Sequence, residues 1–348
     1  MAADKNYCMS SFLAFRYIVD GQKDFAPELR HKHFVQMPDE RKIPVKSAQE
    51  IDRALKEQFR QLSGEKLGIL LSGGMDSAIL AAYMPGADAY TFRFMGGEYQ
   101  KAELNRAEYY ADYYGLKLHY VDIDWQTVLK AVDPVMAQKQ APVHSIEPQI
   151  YMGAMQAKDD GISKMIIGDA SDYVFGGMDQ LLSRDWKYEE FYQRFIYIDP
   201  ERVLKEPVSM KPVFEPFRRG EEIDFMGMMD SITVDESYAS YENAFLAADM
   251  PYVDPYEPLK MAQPLDLSRV RNGESKYLIR ELFRMKYPDY PVPEKVPMPR
   301  PVDLYFKDWQ GPVRPEFREN LDMAAGFTGN QKWLLWCLER FLNRYCGD

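Results

Sequence analysis

Leu67-Gly68-Ile69-Leu70-Leu71-Ser72-Gly73-Gly74-Met75-Asp76-Ser77 is the stretch that decides how the chain folds. Residues 67–71 are a short apolar run, the kind that fills a strand buried on both faces. Two glycines follow, and Asp76 to Met84 reads as a helix. A strand, a glycine turn and a helix start bring backbone N–H groups together, with the Ser72 and Ser77 hydroxyls beside them, which makes an anion cradle. A Walker loop needs a Lys after its last Gly, and here Met75 stands there, so an ordinary kinase or GTPase loop is excluded. Asp76 inside an anion site repels phosphate unless a cation mediates, so Mg²⁺ is expected beside it.

Upstream, Ser47 and Glu50 form a capping-box signal for a helix with an apolar stripe at Ile51, Leu55, Phe59 and Leu62. Ahead of it, residues 1–46 read as irregular. Downstream the text alternates. Ala89 to Phe94 is a strand, Ala102 to Tyr114 a helix closed by Gly115, and Leu118 to Ile123 a strand. Helices near Trp125–Met136 and Gln149–Lys158 then lead to a buried strand at Met165-Ile166-Ile167-Gly168. This spacing predicts an α/β fold, a parallel sheet with helices on both faces and right-handed crossovers. Ligands of such sheets sit at the carboxyl ends of the strands, so the loops after Leu71, Phe94 and Gly168 converge on one edge.

After about residue 180 the text turns Met- and aromatic-rich and strand alternation stops. Ser275–Lys286 and Gln331–Tyr345 are amphipathic helices around a proline-dense loop, Pro288–Pro301. The expected division is a segment with its lead-in helix (1–62), an α/β core (63–180) and a mostly helical remainder (181–348).

The whole-chain numbers narrow the function. The 348 residues allow about two domains. Net charge is −11 with no basic run, which argues against a nucleic-acid partner. No stretch reaches the roughly 18 apolar residues of a membrane span, and Arg16 interrupts the first apolar piece, so neither a span nor a signal peptide is expected. Cys8, Cys337 and Cys346 show no metal or redox spacing and suit a reducing, cytoplasmic compartment. His31 and His33 alternate as a two-histidine arm without a third ligand, and His119 closes a strand in a structural role.

The stretch from Leu70 to Ser77 resembles the pyrophosphate-binding loop of N-type ATP pyrophosphatases. That group includes asparagine synthetase, GMP synthetase and tRNA thiolation enzymes, which cleave ATP between the α and β phosphates. A second segment, Gly168-Asp169-Ala170-Ser171-Asp172-Tyr173-Val174-Phe175-Gly176-Gly177, is similar to the acidic loop of asparagine synthetase. Two carboxylates three residues apart after a buried strand face the same edge as Asp76. One can share a metal with it while the other is free for substrate. By the resemblance Asp172 is the second metal aspartate, and Asp169 stands for the glutamate that guides the nitrogen nucleophile. Lys276-Tyr277-Leu278-Ile279-Arg280-Glu281 resembles the helix before the family's catalytic loop, which implies that Lys295 stabilises charge on the α-phosphate.

Leu70, Phe94 and Gly168 are implied in the adenine pocket, with Ile167 replacing a polar residue there. Ser11 to Phe15, the helix carrying Glu103, Ala107 and Gly115, and Ile146 to Tyr151 extend the likeness to about residues 10–345. The chain reads as the synthetase half alone, without the family's glutaminase domain and its terminal cysteine. Nitrogen is therefore expected from free ammonia, a separate glutaminase or an amine substrate. The implied activity is an AMP-forming amide ligase using ATP and Mg²⁺ on a small carboxylic acid. An amine-using lactam or peptide former shares every adenylation residue. Lactam-forming relatives carry Tyr at the Asp169 position, so the carboxylate favours ammonia. A sulfur-inserting tRNA enzyme calls for reactive cysteines and a basic face, which this chain does not show. A scaffold that has kept the fold is the non-enzymatic alternative, suggested by Ile167 and by Tyr173 in place of the family's Glu.

Overall fold

The structure is a computed structural model that describes residues 2–96, 100–294 and 300–347. Its centre is a parallel sheet of five strands. These are β1 (Leu67–Leu70), β2 (Asp88–Phe94), β3 (Lys117–Ile123), β4 (Lys164–Ile166) and β5 (Tyr252–Val253), in the order β5-β4-β1-β2-β3. β1 is flanked by β2, with Ile69 opposite Ala89, and by β4, with Ile69 opposite Ile166. The chain moves from β1 outward to β3 and then crosses back to lay β4 on the other side of β1. The strand order therefore reverses between β1 and β4. A crevice opens there at the carboxyl ends of the strands.

Helices cover both faces. On one side lie α2 (Ala48–Gln61), α3 (Met75–Ala81), α4 (Lys101–Tyr114) and α8 (Tyr277–Lys286), sharing a core with Ile69, Ala89 and Ile166. On the other lie α1 (Lys5–Phe15), α5 (Trp125–Lys139), α6 (Glu147–Asp159), α7 (Val234–Ala247) and α9 (Gly329–Tyr345), packed with Tyr90, Val121 and Met165. Adjacent strand residues feed opposite cores, as the pleat requires. The α/β expectation holds in strand direction and layering: the sheet is parallel and carries helices on both faces.

Three readings of the sequence are corrected. Residues 5–15 are helical rather than irregular. Cys8 through Phe15 are all buried, so α1 has no polar face and shows no amphipathic period. The sheet does not end before residue 180, because Tyr252 and Val253 add an edge strand against Met165 and Ile166. Two residues are too few to show alternation. Ser47 does cap α2, accepting from the Glu50 N–H at 3.2 Å, but the Glu50 carboxylate accepts from Lys46 N–H instead of closing back on Ser47. Among the described residues no helix is long and apolar enough to cross a membrane.

Candidate active site

The crevice between β1 and β4 holds a cavity of about 230 Å³. Leu70, Ser72, Gly73, Gly74, Asp76 and Ser77 line it from the β1 side, and Gly168, Asp169 and Asp172 from the β4 side. Both acidic segments are therefore brought to one place although about a hundred residues separate them in sequence.

The turn after β1 is tied internally. Ser72 N–H donates to Ser77 Oγ at 3.0 Å, and Gly74 N–H donates to Ser72 Oγ at 3.1 Å. Helix α4 packs so closely on it that a Cβ at Gly73 would lie 2.7 Å from the Glu103 carbonyl oxygen. Glycine is required there by space alone. Arg106, also on α4, donates to the Gly73 carbonyl at 2.8 Å. This brings a guanidinium to the rim of the anion cradle.

The acidic loop after β4 is held from a distance. Buried Asp254, just past β5, accepts from the N–H groups of Ala170 (2.7 Å) and Tyr256 (3.0 Å). Tyr256 in turn donates its hydroxyl to the Asp76 carbonyl at 3.1 Å. Ser171 Oγ donates to Asp76 Oδ1 at 2.6 Å, linking the two loops directly. A Cβ at Gly177 would overlap the Asp172 carboxylate, so the glycine keeps that side chain in place.

Lys276 is the residue the sequence reading passed over. Its Nζ donates to both oxygens of Asp76, at 2.8 and 2.7 Å, and pairs with Asp172 Oδ1 at 2.6 Å. The side chain is 3% exposed. Its backbone sits at φ +53°, the left-handed region that a lysine occupies only when its surroundings hold it there. Burial works against the charge, but the carboxylates of Asp172 and Asp76 outweigh it and keep the ammonium protonated. The two aspartates thus converge on a single cation. Mg²⁺ is characteristically held by one or two carboxylates together with substrate phosphates, so this pair fits that ion once the ammonium yields its place. Among the described residues no third His, Cys, Asp or Glu completes a protein-only metal cluster.

Asp169 differs from its neighbours. It lines the cavity and accepts from Ser237 Oγ at 2.6 Å. Burial pushes its carboxyl up to about 7, and the nearby carboxylates of Asp172 and Glu236 push the same way against the Ser237 bond and the Lys276 charge. A carboxyl poised near neutrality can take up a proton during a reaction.

Phe94 is placed differently from the expectation. Its ring is buried in the core shared with α5 and α6, and its N–H donates to Gln100 Oε1 at 2.7 Å. Phe92, two residues earlier on the same face of β2, lines the cavity beside Leu70. Ile167 also lines it. Lys295 lies outside the described residues; Pro293 and Glu294 before it line the cavity. Of the histidines, His31 Nδ1 faces Asp24 at 3.0 Å and His33 Nδ1 faces the Tyr17 hydroxyl at 2.7 Å.

A family model described as asparagine synthase matches residues 46–225, more than half of the 348. A curated protein of Methanocaldococcus jannaschii, named as a glutamine-hydrolysing asparagine synthetase, is 29% identical over 136 residues. That match covers 36% of this chain and 24% of the relative, so the chain spans about a quarter of the relative's length. Among solved structures, a U34-tRNA thiolase from Methanococcus maripaludis is 12% identical over 72% of this chain and 84% of its own, at a TM-score of 0.27. An NMN synthetase from Francisella tularensis is 10% identical over 72% and 97%, also at 0.27. The matched span contains the turn after β1 and the acidic loop after β4, and the chain belongs to the asparagine synthase family.

Proposed function

We propose that the protein is an ATP-dependent, AMP- and pyrophosphate-forming amide ligase that adenylates a substrate carboxylate for attack by ammonia. The observation that carries this is the convergence of Asp76 and Asp172 on one cation, beside the hydroxyl- and glycine-lined turn after β1.

The β- and γ-phosphates lie on the turn of residues 72–77, with Arg106 at its rim, and the adenine rests against Leu70, Phe92 and Gly168. Asp76 and Asp172 would hold Mg²⁺, which when bound neutralises phosphate charge on the leaving pyrophosphate. A carboxylate oxygen of the acid attacks the α-phosphorus, the bond to the bridging oxygen breaks and pyrophosphate departs. Lys295 is assigned the charge that develops on the α-phosphate. Ammonia then attacks the acyl carbon of the adenylate, AMP leaves with its electron pair, and the released proton goes to Asp169. Ser237 orients the Asp169 carboxylate for that role. Positioning and exclusion of water from the adenylate supply most of the rate gain.

Incubation with Mg-ATP and a panel of carboxylic acids, with and without ammonium, tests the proposal. AMP and pyrophosphate formed with one acid, and an amide formed only with ammonium, are the expected products. ADP and phosphate would overturn it.

A further inference from the structure

We propose that a second cavity, adjoining the nucleotide site along residues 169–177, holds the far end of the acceptor acid, an apolar body carrying a second carboxylate gripped by Arg300 beside Arg16. This rests on the adenylation reading above.

The cavity measures about 730 Å³, within the range of small-molecule sites. It borders the nucleotide site at two points. Gly177 lines it, while Asp172 of the same loop lines the nucleotide side. Glu236 lines it, while the next residue, Ser237, holds Asp169.

Its polar corner has an uncommon charge balance. Arg16 and Arg300 both donate to the same atom, His144 Nε2, at 3.0 and 2.9 Å. Two guanidiniums are therefore held side by side. Glu236 answers one of them, bonding Arg16 at 2.9 Å. Among the described residues Arg300 otherwise hydrogen-bonds only the Ser145 hydroxyl and forms no ion pair. His144 adds no charge, because burial and the two arginines keep its ring neutral, with its pKa lowered to about 3. Arg16 is bonded through both terminal nitrogens and stacks on the Tyr197 ring, 3.9 Å from its centroid. The corner thus carries one positive charge more than its carboxylate answers, and that charge falls to Arg300. A planar carboxylate matches a guanidinium edge with paired N–H···O bonds.

Much of the rest of the wall is apolar, with Phe15, Phe195 and Trp333 among its residues, alongside the polar side chains of Asp179, Gln180, Arg194 and Gln331. A small polar acid such as aspartate would leave this surface wet. An acid with an aromatic or alkyl body would bury it and gain in proportion to the area covered.

The test pairs dicarboxylic acids of increasing apolar bulk, benzylsuccinate among them, with monocarboxylic counterparts such as 3-phenylpropanoate. Binding is measured by calorimetry to the full chain and to R300Q, with Mg-ATP titrated separately and AMP release followed. At least one dicarboxylate is expected to bind 10-fold or more tightly than its counterpart. R300Q is expected to lose about 10- to 100-fold of that affinity while Mg-ATP binding is unchanged. R300K keeps the charge without the two-pronged grip and is expected to fall between, which guards against a folding defect in R300Q. No preference for the dicarboxylate, or equal binding by R300Q, overturns the inference. AMP formation with aspartate that R300Q leaves untouched overturns the inference while the adenylation reading stands. Dicarboxylate binding lost in R300Q, with no AMP from any acid, overturns the adenylation reading and the acceptor role with it.

Discussion

Replacing Lys276 by Met tests the geometry of the site most sharply. The side chain is 3% exposed and its ammonium satisfies Asp76 and Asp172 together, whose side chains are 24% and 29% exposed. Methionine fills the same space without charge. The two carboxylates then lose the ammonium they share, while Asp76 keeps its bond from Ser171 Oγ. Breaking a buried ion pair costs about 3–5 kcal/mol, and the partial hydration of these carboxylates reduces this to about 2–3 kcal/mol. At roughly 2.1 cal/mol/K per residue, the 348 residues give about 0.7 kcal/mol/K, so Tm falls by about 3–4 °C. The diagnostic part is the response to Mg²⁺ without nucleotide. In the native protein the ammonium holds the place between the carboxylates, and millimolar Mg²⁺ is expected to move Tm little. In K276M the ion can enter and recover most of the loss, whereas the same ionic strength of KCl does not. Thermal melts of both proteins in both salts decide it. An unchanged Tm, or equal recovery in KCl, would refute the claim that Lys276 occupies a cation site.

Other expectations follow from the same contacts. Asp169 has its pKa raised from the ordinary carboxylate range to about 7, so the folded state binds a proton more strongly than the unfolded one and loses stability as pH rises from about 4 to 7. D169N therefore melts no lower than the native protein at pH 8. The ratio of native to D169N amide-forming rates rises as pH passes through about 7, because only the native carboxylate gains its base form there; a flat ratio would exclude Asp169 as the proton acceptor. G73A drives a Cβ into the Glu103 backbone and is expected to cost about 1–3 kcal/mol and at least 10-fold in Mg-ATP affinity, measured by melting and calorimetry. K139M removes the buried partner of Glu147, 2.7 Å away, and lowers Tm by about 4–7 °C with little change in Mg-ATP affinity.

The sheet was legible because its strands advertise themselves. Residues 67–71 and 165–167 are unbroken apolar runs, and the helices between them carry polar faces against solvent. The turn at residues 72–77 and the acidic loop at 168–177 were legible as chemistry, and the reversal of strand order between β1 and β4 explains why they meet. What escaped was either too uniform, too short or too far apart in sequence. Helix α1 is buried all along its last turns and shows no period. The strand at Tyr252 and Val253 has no room for alternation. Phe94 and Phe92 share a face of β2, so periodicity does not say which of them reaches the cavity. Lys276 meets Asp76 across 200 residues, and Asp254 meets Ala170 across 84. Arg16, His144, Glu236 and Arg300 come from four separate segments. An isolated Lys or Arg in text carries no sign of the carboxylate or cavity that folding will give it.

The central claim is that a carboxylate oxygen of the acceptor attacks the α-phosphorus of ATP. An acid accepted in the AMP assay, labelled with ¹⁸O in its carboxyl group, tests this directly. Full turnover with ammonium is predicted to leave one labelled oxygen in the AMP and none in the pyrophosphate. AMP without label would contradict the acyl-adenylate and the assignment of the site built around it.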